Sequence, residues 1–210
     1  NAFKFTKKSY KMANILVTGG AGFIGSFIVD ELVSRGYKVR IFDNLVKQVH
    51  RGKVPDYLNK NAEFIKGDVK DKKLFFNALK DIDFVFHEAA EVGVGQSMYE
   101  ISRYVNANVM GTANLLDIVV NDEKIRKRLK KIIVASSMSL YGEGRYTCKK
   151  CGVVDPPLRA EEDLKKNKWE LNCLKCNIVL NPIPTLETKL QEAGSVYALS
   201  KKFHEEITIN

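Results

Sequence analysis

Apolar residues in this chain fall in short unbroken runs that alternate with stretches at helical spacing. Residues 14–18 form an apolar run that ends in glycines, and residues 23–33 carry apolar positions at helical intervals before Gly36 stops them. The run pattern returns at 38–42, followed by Asp43, and again at 63–66 and 84–87. Residues 71–79 read as a short helix capped by Asp71, residues 99–120 as a long helix and residues 131–135 as a fifth buried strand. Strand and helix thus alternate from Asn14 to Ser137. This predicts an α/β fold on a doubly wound parallel sheet, with ligands at the carboxyl ends of the strands. The pattern stops after Tyr141. Residues 142–194 are polar, broken by prolines and carry two cysteine pairs, and helical spacing resumes over 196–207. They read as an insertion in one domain spanning 12–210.

At 210 residues the chain is long enough for one well-buried domain and short for two. It is 45% hydrophobic and 28% charged. No apolar run approaches the roughly 20 residues needed to cross a bilayer, which sets a membrane protein aside. The net charge of +9 raises nucleic acid as a partner, but the lysines are dispersed, with clusters only in 1–11, 124–131 and 165–168. They read as solvated helix faces and loops, and the mild positive field suits an anionic nucleotide. Residues 1–11 are basic and weakly patterned while Met12 opens directly into the first apolar run, so 1–11 read as a tag, leader or extension. No secretory apolar stretch is present there, and the expected location is cytoplasmic.

Gly19, Gly22 and Gly25 form G-x-x-G-x-x-G between the first strand and the first helix. Glycine there permits a tight turn and close approach of the backbone to a pyrophosphate, and the helix N-terminus then faces the anion. With Phe23 and Ile24 they are the candidate dinucleotide contacts. Asp43 ends the second strand, beside Asn44, where its carboxylate would accept hydrogen bonds from both ribose hydroxyls and repel a 2′-phosphate. That favours NAD over NADP, although Arg40 and Lys47 nearby point the other way.

Cys148-x-x-Cys151 and Cys173-x-x-Cys176 are two knuckles separated by 21 residues, and they use every cysteine of the chain. The spacing suits tetrahedral Zn²⁺ in a zinc-ribbon-like segment, and four thiolates fill the shell, so the metal is expected to be structural. An iron site on the same thiolates and a pair of disulfides are the alternatives, the second disfavoured in a reducing cytoplasm.

Thr18 to Ser26 (TGGAGFIGS), Gly67-Asp68-Val69, His87-Glu88-Ala89-Ala90, Asn108 with Gly111-Thr112, Ser136-Ser137 before Tyr141-Gly142, and Tyr197-Ala198-Leu199-Ser200-Lys201 together resemble the extended short-chain dehydrogenase/reductase family of nucleotide-sugar epimerases and dehydratases. The segments 92–101 and 136–144 look most like sequences assigned as dTDP-L-rhamnose 4-epimerases or UDP-glucose 4-epimerase-like proteins. The resemblance implies a Rossmann-like NAD-binding domain acting on a nucleotide-diphosphate sugar, and a chain that in the family continues beyond Asn210 into a substrate-binding region. A homodimer is allowed. It implies that Asp68 and Val69 hold the adenine, that Ala89, Ala90 and Asn108 contact the dinucleotide, and that Ser137, Tyr197 and Lys201 are the catalytic set.

The chemistry of that set can be argued separately. A tyrosine, ordinarily near pKa 10, acts as a base at neutral pH only if positive charge stabilises its phenolate, and a lysine one helical turn later supplies it. Tyr146 with Lys150 has the same spacing but lies inside a cysteine knuckle, whereas Tyr197 opens an amphipathic helix. Met138 and Ser139 stand where the family's 4,6-dehydratases place an acidic pair, so a general acid for water elimination is missing. His87 reads as a packed strand residue, and His50 and His204 make no metal-ligand spacing. Gln96 and Ser97 face substrate or serve as ordinary turn residues. The leading reading is a nucleotide-sugar 4-epimerase working through a transient keto-sugar. The alternatives are a sugar-nucleotide dehydrogenase or reductase, and a non-catalytic NAD-sensing or zinc-ribbon interaction protein. The insertion leaves the sheet after Ser137 and returns before Tyr197, which suggests a lid beside the sugar, with an outward ornament or oligomer contact as the alternative.

Overall fold

Each apolar run becomes a strand, and the three central ones are largely buried on both faces, which is why their runs are nearly continuous rather than alternating. In the computed structural model, which describes residues 13–209, β1 (Asn14–Thr18), β2 (Lys38–Asp43), β3 (Glu63–Lys66), β4 (Phe84–His87) and β5 (Lys131–Val134) pair in parallel in the order β3-β2-β1-β4-β5. The reading of residues 1–11 as a leader falls outside the described residues. Along β1 the side chains alternate. Leu16 joins a core with Phe42, Phe75, Val85 and Leu115, while Ile15 and Val17 join a second core with Val29, Leu32 and Ile41 on the opposite face.

Helices cover both faces. α1 (Phe23–Ser34) supplies Val29 and Leu32 to one core, and Gly36 ends the turn after it with φ +83°, donating its N–H to Val33 O at 2.9 Å. The single turn α2 (Lys47–His50) follows β2. α3 (Lys72–Leu79) packs on the other face, its N-terminus capped by Asp71, which accepts from the Lys73 and Leu74 N–H groups at 3.0 Å each. Such a cap stabilises by about 1 kcal/mol. The long helix expected over 99–120 is present as one continuous run of α5 (Ile101–Tyr104), a π-helical segment (Val105–Met110) and α6 (Gly111–Asn121); the turn α4 (Val94–Ser97) before it was not expected, and α7 (Glu123–Arg128) follows it. One-turn elements carry too few positions for a period to show.

Because β1 lies between β2 and β4, the chain reverses direction across the sheet at this point and a crevice opens at the carboxyl ends of β1 and β4. After β5 a 3₁₀ turn (Met138–Tyr141), capped by Ser137, leads into residues 142–194. These are ordered rather than loop-like: β6 (Arg145–Cys148), β7 (Gly152–Val154) and β8 (Asn181–Ile183) form an antiparallel sheet in the order β7-β6-β8, with the short α8 (Glu161–Lys165) beside it. The core of this unit is small: Cys148, Cys173 and Leu180. Its two roots are tied together by Glu192 N–H to Leu140 O at 2.7 Å and Lys189 Nζ to Tyr141 O at 2.8 Å. α9 (Val196–Ile209) then returns the chain to the crevice, with Ser195 Oγ capping it through Ala198 N–H at 3.0 Å. Among the described residues, no helix is long and apolar enough to cross a membrane.

Candidate functional site

The crevice is a cleft of about 440 Å³ at the carboxyl ends of β1, β2 and β4, within the usual size range of ligand pockets. The glycines of the turn after β1 are fixed by close approach. A Cβ on Gly25 would lie 2.2 Å from Gly19 O, and one on Gly19, whose φ is +65°, would lie 2.7 Å from Ala89 N. No larger residue fits either position without moving backbone. Asp43 is buried, one carboxylate oxygen accepting from Ala21 N–H at 3.1 Å and the other from Leu45 N–H at 2.8 Å. The carboxylate is thereby aimed from β2 across the glycine turn, with lone pairs left for a diol. Asn44 donates to Asp68 Oδ2 at 3.0 Å. Arg40 is spent elsewhere, on Glu63 and on the Ala78 and Lys80 carbonyls. It is not available for a 2′-phosphate.

Gly19, Gly22, Phe23, Ile24, Gly25, Asp43, Asn44, Asp68, Val69, Ala89, Ala90, Tyr197 and Lys201 all line this one cleft. Asn108 is not among the lining residues. It is fully buried, its amide engaged with the Glu91 backbone at 2.8 and 3.1 Å and with Ser200 Oγ at 2.9 Å. Its neighbour Ala107 lines the cleft instead, a displacement of one residue that the π-helical segment makes unreadable from a 3.6-residue period. Ser137 also stands outside the lining; its Oγ accepts from Ser139 N–H at 3.2 Å and pairs with Ser139 Oγ at 2.8 Å. The Ala135–Ser136 step lies on the cleft wall in its place.

α9 carries Tyr197 and, one turn later, Lys201 into the cleft. The Tyr197 N–H donates to Ser97 Oγ at 3.0 Å, and the Tyr197 ring meets Tyr104 edge-on at 6.4 Å between centroids. Ser97 is thus a clamp for the tyrosine helix. Lys201 Nζ donates to Ala135 O at 2.9 Å, and burial pulls the ammonium down to about 8, partly offset by Glu88. Burial raises the Glu88 carboxyl in turn, against the pull of Lys201. His87 is a packed residue, as its apolar strand implied, bonded to Thr18 Oγ1 at 2.8 Å and Thr112 Oγ1 at 3.2 Å. Burial, then His204 and Lys201, hold it down to about 3.

Several cleft residues were not foreseen. Glu88, Glu91, Val46 and His50 line it, and Tyr57 Oη donates to Ala21 O at 2.7 Å, fastening the 44–62 loop onto the glycine turn. Arg103 joins Glu91, Glu100 and Gln48 at 2.7 to 2.9 Å, and Gln96 bonds Gln48 and Glu100, so that loop is also tied to the segment after β4. Gln96 is thereby engaged within the protein. Polar residues in loops give no periodic signal, and these pairs are 48 or more positions apart for Gln48 with Gln96 and Arg103.

The four cysteines converge away from the cleft. All are free thiols, their sulfurs lie within 4.8 Å of one another, and Cys148 and Cys173 are buried. A tetrahedral site with Zn–S bonds of about 2.3 Å has sulfur–sulfur edges of about 3.8 Å, which this cluster fits. Backbone N–H groups of Lys150 and Cys151 lower the Cys148 thiol, and those of Lys175 and Cys176 lower Cys173. The first sulfur of each knuckle is thus shifted towards the thiolate, while the crowding sulfurs push Cys151 up to about 12 and burial raises Cys176. No residue of this unit lines the cleft.

A glycine turn, a buried strand-end aspartate and a Tyr–Lys helix around one crevice of a doubly wound sheet make a Rossmann-like fold. The chain belongs to the NAD dependent epimerase/dehydratase family, whose model matches residues 15–162. It is 38% identical over 159 residues, 74% of this chain and 43% of the other, to a dTDP-L-rhamnose 4-epimerase of Burkholderia thailandensis. Its fold is similar to that of a UDP-glucose 4-epimerase with UDP-glucose from Thermotoga maritima, at TM-score 0.65 and 30% identity over 92% of this chain and 49% of that one. It is likewise similar to a Thermus thermophilus UDP-glucose 4-epimerase complex with NAD, at TM-score 0.62 and 28% identity over 93% and 50%. The chain spans about half the length of these relatives.

Proposed function

We propose that this chain is the NAD-binding and catalytic part of a nucleotide-sugar 4-epimerase. The observation that carries the reading is the convergence, in one cleft, of the glycine turn, Asp43, Tyr197 and Lys201. The turn suits a dinucleotide because Gly25 and Gly19 leave a cradle that a Cβ would fill. Bound NAD⁺ would supply the reversible oxidation of the sugar at C4. Within the protein, Tyr197 takes the proton of the reacting hydroxyl at Oη and later returns it, while the Lys201 ammonium favours its phenolate. Ser137 hydrogen-bonds the sugar after its Oγ releases Ser139. The 4-epimerase relatives favour a UDP- or dTDP-sugar as substrate.

We read the cysteine cluster as a structural Zn²⁺ site, and four free thiols as the mark of a reducing cytoplasm. Exposed Ile101, Val105, Met110 and Val120 on the α5–α6 run, with Leu199 on α9, favour a second copy of the chain as a further partner. The test is direct. The complete protein incubated with UDP-glucose or dTDP-L-rhamnose should interconvert the C4 epimers without added cofactor, and Tyr197→Phe should slow this by about 10²–10⁴-fold while NAD remains bound. Stoichiometric accumulation of NADH with released keto-sugar would point to a dehydrogenase instead.

A further inference from the structure

The cleft has two walls that are distant in sequence and bonded to each other. One is the 44–62 loop after β2, which brings Asn44, Val46, Val49 and His50 to the lining; the other is the segment after β4, which brings Glu88 to Val92. In the order β2-β1-β4 they stand on either side of the glycine turn that follows β1. A dinucleotide laid on such a turn runs between them, so a bond from wall to wall spans its path. The bond is made by Gln48, and its hydrogens can be placed. Arg103 can only donate, so at 2.9 Å its Nη2 meets Gln48 Oε1, and Gln48 Nε2 then donates to Gln96 Oε1 at 3.2 Å. Glu100, whose carboxyl is held low by Gln96 and then Arg103, accepts from Gln96 Nε2 at 2.9 Å, and the same nitrogen reaches Gln48 Oε1 at 3.4 Å. The two amides thus form a reciprocal pair whose orientation is fixed by a charge at each end.

The wall after β4 is braced without Gln48. Arg103 is held by Glu91 at 2.7 Å and Glu100 at 2.8 Å, and Gln96 Oε1 also receives Tyr104 Oη–H at 3.2 Å. The 44–62 loop has no such second anchor on that side: among the described residues, its hydrogen bonds to the segment after β4 are those of Gln48. Its other fastening, Tyr57 Oη to Ala21 O, is to the glycine turn. We propose that Gln48 is the latch of the cofactor cleft: paired with Gln96 and Arg103, it holds the 44–62 loop against the segment after β4 and has to let go for NAD to enter or leave. The proposal deepens the epimerase reading, on which it rests. There the hydride taken from the sugar returns to the same sugar, so a dinucleotide lost between the two steps strands the keto-sugar. Gln48, Gln96 and Arg103 all stand outside the cleft lining. The latch therefore joins protein to protein, forms with or without the dinucleotide, and retards entry and exit alike while leaving affinity nearly unchanged.

The test follows cofactor exchange and uses no sugar. For exit, the complete protein loaded with radiolabelled NAD⁺ is chased with excess unlabelled NAD⁺; for entry, the cofactor-stripped protein is mixed with NADH and followed by NADH fluorescence. In Gln48→Ala both rates should rise about tenfold, equivalent to about 1.4 kcal/mol of latch, with the dissociation constant within about threefold of the unaltered protein. Gln48→Glu keeps the bonds accepted from Arg103 and from Gln96 Nε2, and should release NAD⁺ no faster than the unaltered protein. Unchanged rates in Gln48→Ala would overturn the proposal. Faster release without faster entry would overturn it too, because a residue that merely shapes the bound loop weakens binding and does not speed passage. Either result leaves the epimerase reading intact, since no sugar takes part. An unaltered protein that binds neither NAD⁺ nor NADH would instead overturn that reading, and the latch with it.

Discussion

The parallel sheet and the cysteine unit are built on opposite principles. In the sheet, every strand from β1 to β5 passes between helices, and two apolar cores hold residues such as Leu16, Phe42, Val85 and Leu115 that are completely removed from solvent. In the cysteine unit the sheet has three short strands, Val153, Trp169, Leu174 and Val179 are exposed, and two of its three buried core residues are cysteines. The first holds itself by burial. The second has sulfurs where a core should be, and the metal proposed for them would supply what apolar area does not.

The comparison breaks most sharply on metal. Structural Zn²⁺ binding is worth about 10–16 kcal/mol in small sites, far above what Leu180 and its neighbours provide. Chelation, or Cys173→Ser, should therefore abolish hydrogen-exchange protection across β6, β7 and β8 and leave β1 to β5 protected. Loss of both units together, or of neither, would show that they are not independent. The converse variant is Leu115→Ala, which leaves a cavity in the first core. It should cost about 2–5 kcal/mol in denaturant unfolding of the sheet while metal content stays at one equivalent.

How much of this was legible depended on periodicity. The five strands of the sheet were readable to within a residue, because burial on both faces forces unbroken apolar runs; β2 runs on to Asp43 and β5 stops at Val134. The Gly19–Gly22–Gly25 turn was readable from its spacing between a strand and a helix, and the Tyr197–Lys201 pair from its place at the start of an amphipathic helix, since Tyr146 and Lys150 share the spacing. Where partners are distant in sequence the signal vanished. The ties of Gln48 to Gln96 and Arg103, the Ser97 clamp on Tyr197, and the choice of Ala107 over Asn108 for the cleft wall depend on how segments meet, and in the last case on a π-helical register. The cysteine spacing announced the convergence of four sulfurs, yet β6 to β8 went unread, since three-residue and four-residue strands in a polar stretch have no alternation to recognise.

A third prediction concerns charge, which the sheet buries at the cleft in Lys201. Lys201 has a folded-state value of about 8 against an ordinary 10.5. The unfolded chain thus holds this proton more tightly, and the destabilisation is fully present below pH 8 and fades as pH rises from 8 towards 10.5. Lys201→Met should accordingly stabilise the sheet by about 1–3 kcal/mol at pH 7, the gain shrinking above pH 8, while NAD-dependent turnover is lost. A gain that is constant from pH 6 to 10 would mean that the effect is packing and not charge. His87 and His204 act in the same sense at lower pH: both are held low, so their destabilisation is absent above about 6.5 and grows as acid approaches the folded values of about 3 and about 4.

The smallest expected effect is the one that tests how separate the two units are at the site. No residue of the cysteine unit lines the cleft, and its roots are closed on each other by Glu192 N–H to Leu140 O and Lys189 Nζ to Tyr141 O. Leu140 is fully buried and its 3₁₀ turn also packs against α9, so the main domain holds the turn as well. Replacing residues 145–188 by a short glycine-containing turn should therefore leave α9 capped by Ser195 and clamped by Ser97, as it is now. NAD affinity in that variant should stay within about twofold, or about 0.4 kcal/mol. A sugar-side lid would show itself in the complete enzyme as a raised KM for the nucleotide sugar or as escape of the keto-sugar, with NAD affinity still unchanged. If instead NAD binding weakens by tenfold or more, the unit is bracing α9 through its roots, and the sheet and the cysteine unit are one machine rather than two.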